Sequence, residues 1–157
     1  MARLPFEGGC QCGALRYRVT QAPIMVYNCH CTNCQRIGGG AFSTPATILE
    51  ASFAFVSGTP QTIQWAADSG TTRFGWFCRV CGCRIVHGQQ PSNGILSLRT
   101  GTLDDRSWVQ PVGDIWTRSA QPWVTIPPER QRFERQPTDY APLVAAFRQL
   151  GHFPTVT

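Results

Sequence analysis

The residues of this sequence best suited to chemistry are its cysteines, eight in a chain of 157 residues. Seven of them fall into three clusters, Cys10-Gln11-Cys12, Cys29-His30-Cys31-Thr32-Asn33-Cys34 and Cys78-Arg79-Val80-Cys81, and Cys83 follows two residues after the last. Cys-x-Cys and Cys-x-x-Cys spacings let neighbouring thiolates converge on one ion at about 2.3 Å each, the distance zinc takes. A structural zinc is closed by four protein ligands, whereas a catalytic zinc keeps three and leaves one position for water or substrate. Seven clustered thiols divide into four plus three, so the pattern predicts two zinc ions with different tasks.

Disulfides are the competing use of so many cysteines. The chain opens Met1-Ala2-Arg3-Leu4-Pro5 with no apolar export segment, so a cytoplasmic protein is expected. In a reducing compartment clustered cysteines serve metals or catalysis rather than cross-links.

Cys10 and Cys12 supply two ligands, as do Cys78 and Cys81. Joined, the two pairs make a four-thiolate site that ties the early chain to the late chain, and its binding energy adds to folding. Gly8, Gly9, Gly13 and Gly82 beside these pairs suit tight turns. Cys29, Cys31 and Cys34 instead give three thiolates within six residues, which leaves one side of an ion uncovered, and Gly38-Gly39-Gly40 just beyond admits close approach of a substrate. The alternative is a fourth ligand from His30, Cys83 or His87 that closes this site as well. His30, between two ligands, is expected in the core or behind them; His87, after Ile85-Val86, reads as a strand residue; Cys83 reads as a small buried hydrophobe or a spare thiol.

All 14 positive side chains are arginine, for a net charge of +5, and the absence of lysine excludes Schiff-base chemistry. The arginines are scattered, which argues against a nucleic-acid surface and for one or two clamping the carboxylates of an acidic small molecule. No apolar run approaches the length that crosses a membrane. A small-molecule partner, with no nucleic acid and no membrane, is the expectation.

The elements that must position these groups are mostly strands. Alternation predicts strands over Ala14 to Val19, Ile24 to Asn28, Phe42 to Ile48, Phe53 to Val56, Thr62 to Trp65, Thr72 to Phe77, Arg84 to His87, Ile95 to Leu98 and Asp114 to Thr117. Turn signals separate them, among them Ser57-Gly58-Thr59-Pro60, Asp68-Ser69-Gly70 and Pro91-Ser92-Asn93-Gly94. A short helical turn, Thr32 to Arg36, follows Cys31. A second helix, Tyr140 to Leu150, is capped by Thr138 or Asp139 and carries Leu143, Ala146, Phe147 and Leu150 on one face. One domain spanning 1–157 is expected, with a core over about 4–136 and a helical extension over 137–157.

Three ordered segments carry a resemblance: Gly9-Cys10-Gln11-Cys12-Gly13-Ala14-Leu15-Arg16-Tyr17, Cys29-His30-Cys31-Thr32-Asn33-Cys34 and Phe77-Cys78-Arg79-Val80-Cys81-Gly82. Gly101-Thr102-Leu103-Asp104-Asp105, Asp114-Ile115-Trp116-Thr117-Arg118-Ser119 and Gln121-Pro122-Trp123 extend it over nearly the whole chain. In these segments the sequence resembles the glutathione-dependent formaldehyde-activating enzymes, also called the centromere-protein-V/GFA family. The resemblance implies a mainly β fold, a folded tent of antiparallel strands with zinc-binding hairpins. It implies a structural zinc on Cys10, Cys12, Cys78 and Cys81 and a catalytic zinc on Cys29, Cys31 and Cys34. It also implies a carbon–sulfur lyase that joins glutathione and formaldehyde as S-(hydroxymethyl)glutathione.

Three thiolates make zinc a poor generator of hydroxide yet suit a bound, nucleophilic sulfur, so thiol transfer is favoured over hydrolysis. Glutathione carries two carboxylates, for which Arg36, Arg73 and Arg118 are candidate donors, and Trp116, Phe42 and Trp76 are candidate pocket walls. Two other classes compete: a non-enzymatic zinc module with two closed sites that binds a protein or nucleic acid, and a thiol-based metal or redox buffer.

Overall fold

The computed structural model describes residues 2–67 and 70–153, so Asp68 and Ser69 of one predicted turn lie outside the described residues. In chain order the strands are β1 (Phe6–Gly9), β2 (Arg16–Val19), β3 (Met25–Val26), β4 (Asn28–Cys29), β5 (Pro45–Leu49), β6 (Phe53–Ser57), β7 (Gln61–Ala66), β8 (Thr72–Phe77), β9 (Arg84–Gln90), β10 (Ile95–Arg99), β11 (Gly113–Ile115) and β12 (Gln131–Phe133). Two α-helices join them, α1 (Thr32–Gly38) and α2 (Ala141–Gln149). The chain is mainly β, as its alternating pattern predicts.

Three sheets result. Strands β1-β2-β6 form a small antiparallel sheet, and β3-β5-β10-β9-β8-β7 a six-stranded antiparallel one. The third, β12-β11-β4, is parallel throughout, a small exception within a mainly antiparallel fold. Parallel neighbours need long crossovers, and the chain supplies them between β4 and β11 and between β11 and β12.

Register sorts the large sheet into two faces. Val86 stands opposite both Trp76 and Leu98, and Leu98 opposite Ala46, so these four share one face. That face packs on the small sheet: Trp76 lies 6.1 Å from Phe53 and 5.8 Å from Phe55, and Phe53 stacks on Tyr17 at 5.3 Å. Tyr17, Ile48, Ile85, Val86, Leu96 and Leu98 are essentially sealed from water, each contributing about 1.5–3 kcal/mol by burial. The opposite face carries polar groups, with Thr47, Ser97 and His87 in the middle of one cross-strand row that runs from Met25 of β3 through Gly75 to Ile63 of β7.

The structure shifts several sequence-predicted elements. The single strand over Ile24 to Asn28 is two, because Tyr27 separates β3 in the large sheet from β4 in the third. The strand expected from Ala14 begins at Arg16, since the preceding residues fold back into a turn in which the Cys10 amide donates to the Leu15 carbonyl at 3.1 Å. The strand expected over Asp114 to Thr117 stops at Ile115 because Trp116 adopts a left-handed backbone, φ 59°, and opens a 3-10 turn over Thr117–Ser119. The sequence signal for β1 and β12 was too short to register.

Helix α2 begins one residue later than predicted. The Ala141 amide donates to Asp139 Oδ1 at 2.8 Å, Pro142 sits in the first turn, and Leu143 and Phe147 are buried. Leu143 packs directly on Gly113 of β11, where a Cβ would come within 2.3 Å of its Cδ2. Among the described residues no helix is long and apolar enough to cross a membrane.

Candidate functional site

Two turns build the first thiol group. Cys10 and Cys12 follow β1, and Cys78 and Cys81 follow β8. In each turn a glycine at positive φ (Gly13 at 78°, Gly82 at 74°) donates its amide to the carbonyl of the first cysteine, at 3.1 Å to Cys10 and 2.8 Å to Cys78. Such a backbone favours glycine. The four sulfurs lie within 4.8 Å of one another, Cys10 to Cys12 at 3.5 Å and Cys12 to Cys78 at 3.7 Å. Bonds of about 2.3 Å in a tetrahedron put sulfurs about 3.8 Å apart, so these residues fit a zinc ion. Backbone donors support the ionised form: the amides of Cys83 and Cys12 bring the Cys81 thiol down to about 6. Burial works against Cys10, yet the Leu15 amide, 3.2 Å from its sulfur, and the Cys12 and Cys78 thiols hold it below its ordinary value. Cys83 stands beside this group without joining it, half-buried.

The second group is compact in sequence and in space. Cys29 ends β4, Cys31 is the N-cap of α1 and accepts from the Cys34 amide at 3.3 Å, and Cys34 is the buried residue of that helix. Their sulfurs lie within 4.8 Å of one another, and among the described residues no fourth His, Cys, Asp or Glu completes the group. The donor set therefore fits an ion held by three thiolates. Hydrogen bonds from Cys29 and Cys34, then the amides of Cys34 and Asn33, hold Cys31 well down, while its bond to Cys31 and burial push Cys29 up.

His30 is not a fourth ligand. Its ring is sealed from water, and its Nε2–H donates to Asp114 Oδ1 at 2.7 Å, because an ionised carboxylate only accepts. Asn28 Nδ2 donates to the same oxygen at 3.1 Å, and Arg130 Nη1 to Oδ2 at 3.3 Å. Asp114 is buried, which works against its charge, but His30, Asn28 and Arg130 hold its carboxyl below the ordinary range. Gln35 braces the same loop, donating to the carbonyls of His30 (2.7 Å) and Ser119 (2.8 Å), while Ser119 Oγ donates to the His30 carbonyl at 3.0 Å. Sequence reasoning missed Asp114 and Gln35 as supports of the cluster. The only signal was that Asp114 opens one of the segments that carry the resemblance.

The predicted substrate residues scatter. Arg36 is exposed in the last turn of α1. Arg118 is exposed too, its guanidinium 5.0 Å over the Trp116 ring, whose Nε1 donates to Gln136. Phe42 reaches the site, 5.0 Å from the His30 ring. Trp76 does not, because its strand register turns it into the opposite face of the sheet, among Phe53, Phe55 and Phe74. Arg73 lies on the polar face in the company of His87, Arg84 and Arg99, whose positive charges, after burial, bring His87 down to about 3. Cys31 acts on the same ring in the opposite sense, and Arg99 acts on Cys34. Ser43, bridged to Cys29, and Pro45, opposite Arg99, lie two residues apart and link this face to the three-cysteine group, and His87 is, as expected, a strand residue of β9.

No curated protein matches the chain. A crystal structure of a Rhodobacter sphaeroides protein is similar, with a TM-score of 0.53 and 22% identity, over 67% of this chain and 96% of that one; at that identity the likeness speaks for the fold. The family model of the glutathione-dependent formaldehyde-activating enzymes matches residues 5–119, a span that includes both cysteine groups and the Asp114 support, and the chain belongs to that family.

Proposed function

We propose that this chain is a zinc-dependent carbon–sulfur lyase that condenses glutathione, or a related thiol, with formaldehyde or another small aldehyde. The observation that carries the reading is the asymmetry of the two thiol groups: four sulfurs gather at one and three at the other. In this reading Cys10, Cys12, Cys78 and Cys81 hold a structural ion, and Cys29, Cys31 and Cys34 hold the ion at which the thiol reacts. Zinc held by three thiolates would supply one free position in which a substrate thiol loses its proton near neutral pH.

The chain's own residues do the rest by positioning. The amides that face Cys31, the His30–Asp114 bond and the Gln35 brace fix the three thiolates without help from the substrate. Arg36, Arg73, and Arg118 over Trp116 stand as donors and walls for an acidic thiol. One carbon–sulfur bond forms, the thiol proton ends on the former carbonyl oxygen, and nothing is oxidised or reduced. Residues 1–157 act as one domain, with 137–157 as its helical extension.

The test is cobalt substitution followed by glutathione. A change in the sulfur-to-cobalt charge-transfer band is expected with glutathione and not with S-methylglutathione, which keeps the carboxylates but offers no thiolate. An unchanged spectrum at saturating glutathione would overturn the reading in favour of a zinc module with two closed sites.

A further inference from the structure

Buried hydrogen-bonding groups in folded chains have partners. Among the described residues six buried side-chain atoms have none, and five of the six belong to three residues on the polar face of the large sheet: Nε and Nη1 of Arg84, Nε and Nη1 of Arg99, and Nδ1 of His87. Five such atoms on one face mark a place built for an acceptor.

Strand register explains how they meet. His87 stands opposite Ser97 of β10 and Gly75 of β8, and Arg99, two residues beyond Ser97, shares its face. Gly75 leaves room for Arg84 to fold across the sheet; a Cβ there would come within 2.2 Å of Arg84 Nη1. The Arg84 guanidinium then lies 5.3 Å over the Trp65 ring, itself 6.4 Å from His87. Arg99 pairs with Pro45 on β5, two residues from Ser43, whose amide and carbonyl both bond Cys29. One end of the arginine pair therefore adjoins the three-cysteine group.

Among the described residues no acidic side chain forms an ion pair with Arg84 or Arg99. The ion pairs among the described residues join Arg16 to Asp104, Arg18 to Glu7, and His30 and Arg130 to Asp114. Two half-buried cations side by side without a counter-charge cost energy, and burial and then Arg99 hold the Arg84 guanidinium below its ordinary value. Both arginines keep part of their surface exposed, while the partnerless Nε and Nη1 are themselves sealed, so an anion reaches these donors with a shift of the side chains. The partnerless atoms on each are Nε and Nη1, which point to different sides of the guanidinium, so each offers a carboxylate a single charge-assisted hydrogen bond.

We infer that Arg84 and Arg99, with His87 between them, form a carboxylate-binding subsite for the thiol substrate, beside Cys29, Cys31 and Cys34. The inference rests on the thiol-adduct reading for the identity of the ligand. It adds to Arg36, Arg73 and Arg118 a second carboxylate contact on the half-buried sheet face.

S-Methylglutathione and its diethyl ester, titrated calorimetrically into the zinc-loaded protein, provide the test, because neither has a thiol and so neither depends on the ion. The free acid should bind wild type at least about tenfold more tightly than the ester, the size of a charge-assisted pair. Arg84→Gln and Arg99→Gln should each weaken the free acid by a similar factor and shrink its advantage over the ester. Arg148→Gln, on the exposed face of α2, should do neither. The inference falls if wild type does not discriminate acid from ester, or if folded, zinc-retaining Arg84→Gln and Arg99→Gln bind as wild type does. In that case a cobalt band that still responds to glutathione leaves the thiol reading standing. Acid–ester discrimination with a silent cobalt spectrum would instead keep the subsite and remove the thiol reading.

Discussion

Replacing Asp114 by alanine probes the support beneath the reactive cluster. Its carboxylate is 1% exposed, and Oδ1 alone accepts from both His30 Nε2 and Asn28 Nδ2, side chains that are 0% and 4% exposed. Asp114→Ala strands both donors where water cannot reach them, at about 1–3 kcal/mol each. Arg130 is 24% exposed and recovers water, so its lost contact adds little. The expected cost of about 2–6 kcal/mol is a large part of the 5–15 kcal/mol typical of a domain's total stability. Asp114→Asn keeps an oxygen in the Oδ1 position, so it serves both donors and should cost only about 1 kcal/mol. Denaturant unfolding of the zinc-loaded proteins measures both. Because His30 lies between Cys29 and Cys31, zinc analysis of Asp114→Ala should show the three-cysteine ion depleted and the four-cysteine ion retained. An Asp114→Ala protein within 1 kcal/mol of wild type, or an Asn variant as damaged as the Ala variant, would refute the reasoning.

Four further outcomes are expected. Asp114 has a depressed carboxyl pKa in the fold, so its charge stabilises fully above about pH 3.9, the ordinary value, and this contribution is lost as pH falls through the folded value; the gap between wild type and Asp114→Asn should narrow over that acid window in pH-dependent unfolding. Cys78→Ser should unfold the chain or lower its melting temperature steeply, since structural zinc contributes about 10–16 kcal/mol; a stable variant carrying two zinc ions would contradict the assignment. Cys31→Ser should remain folded with one zinc and no activity, because serine is itself a good N-cap for α1; collapse as deep as that of Cys78→Ser would abolish the division between the two sites. Cys83→Ala should keep both ions and lie within about 1 kcal/mol of wild type, since this thiol belongs to neither group; loss of zinc on metal analysis would place it among the ligands.

Cysteine spacing alone disclosed the two groups, because a Cys-x-Cys or Cys-x-x-Cys turn brings its sulfurs together whatever the rest of the chain does. The same holds for β8, for α1 between its Cys31 cap and Gly39, and for the apolar stripe of α2, all of which follow from local periodicity and turn chemistry. That Cys10 and Cys12 meet Cys78 and Cys81 was inferable only by counting ligands; their approach to within 4.8 Å is made by sheets that are not local. Nothing local separates Arg84 and Arg99 from Arg36 and Arg118. Arg84 and Arg99 lie on paired strands that leave them half-buried on one sheet face, whereas Arg36 lies in the last turn of α1 and Arg118 in a 3-10 turn, both exposed. Trp76 faces Phe53, Phe55 and Phe74 instead of the site for a register reason, since a shift of one residue along a strand exchanges the two faces of a sheet. Asp114 became legible as the partner of His30 only when the parallel pairing of β4 and β11 set it opposite Asn28, two residues from His30. Residue type and spacing disclosed the thiol groups because the sulfurs of one turn meet at short range, whereas the groups around them come from distant strands and are chosen by how those strands pair.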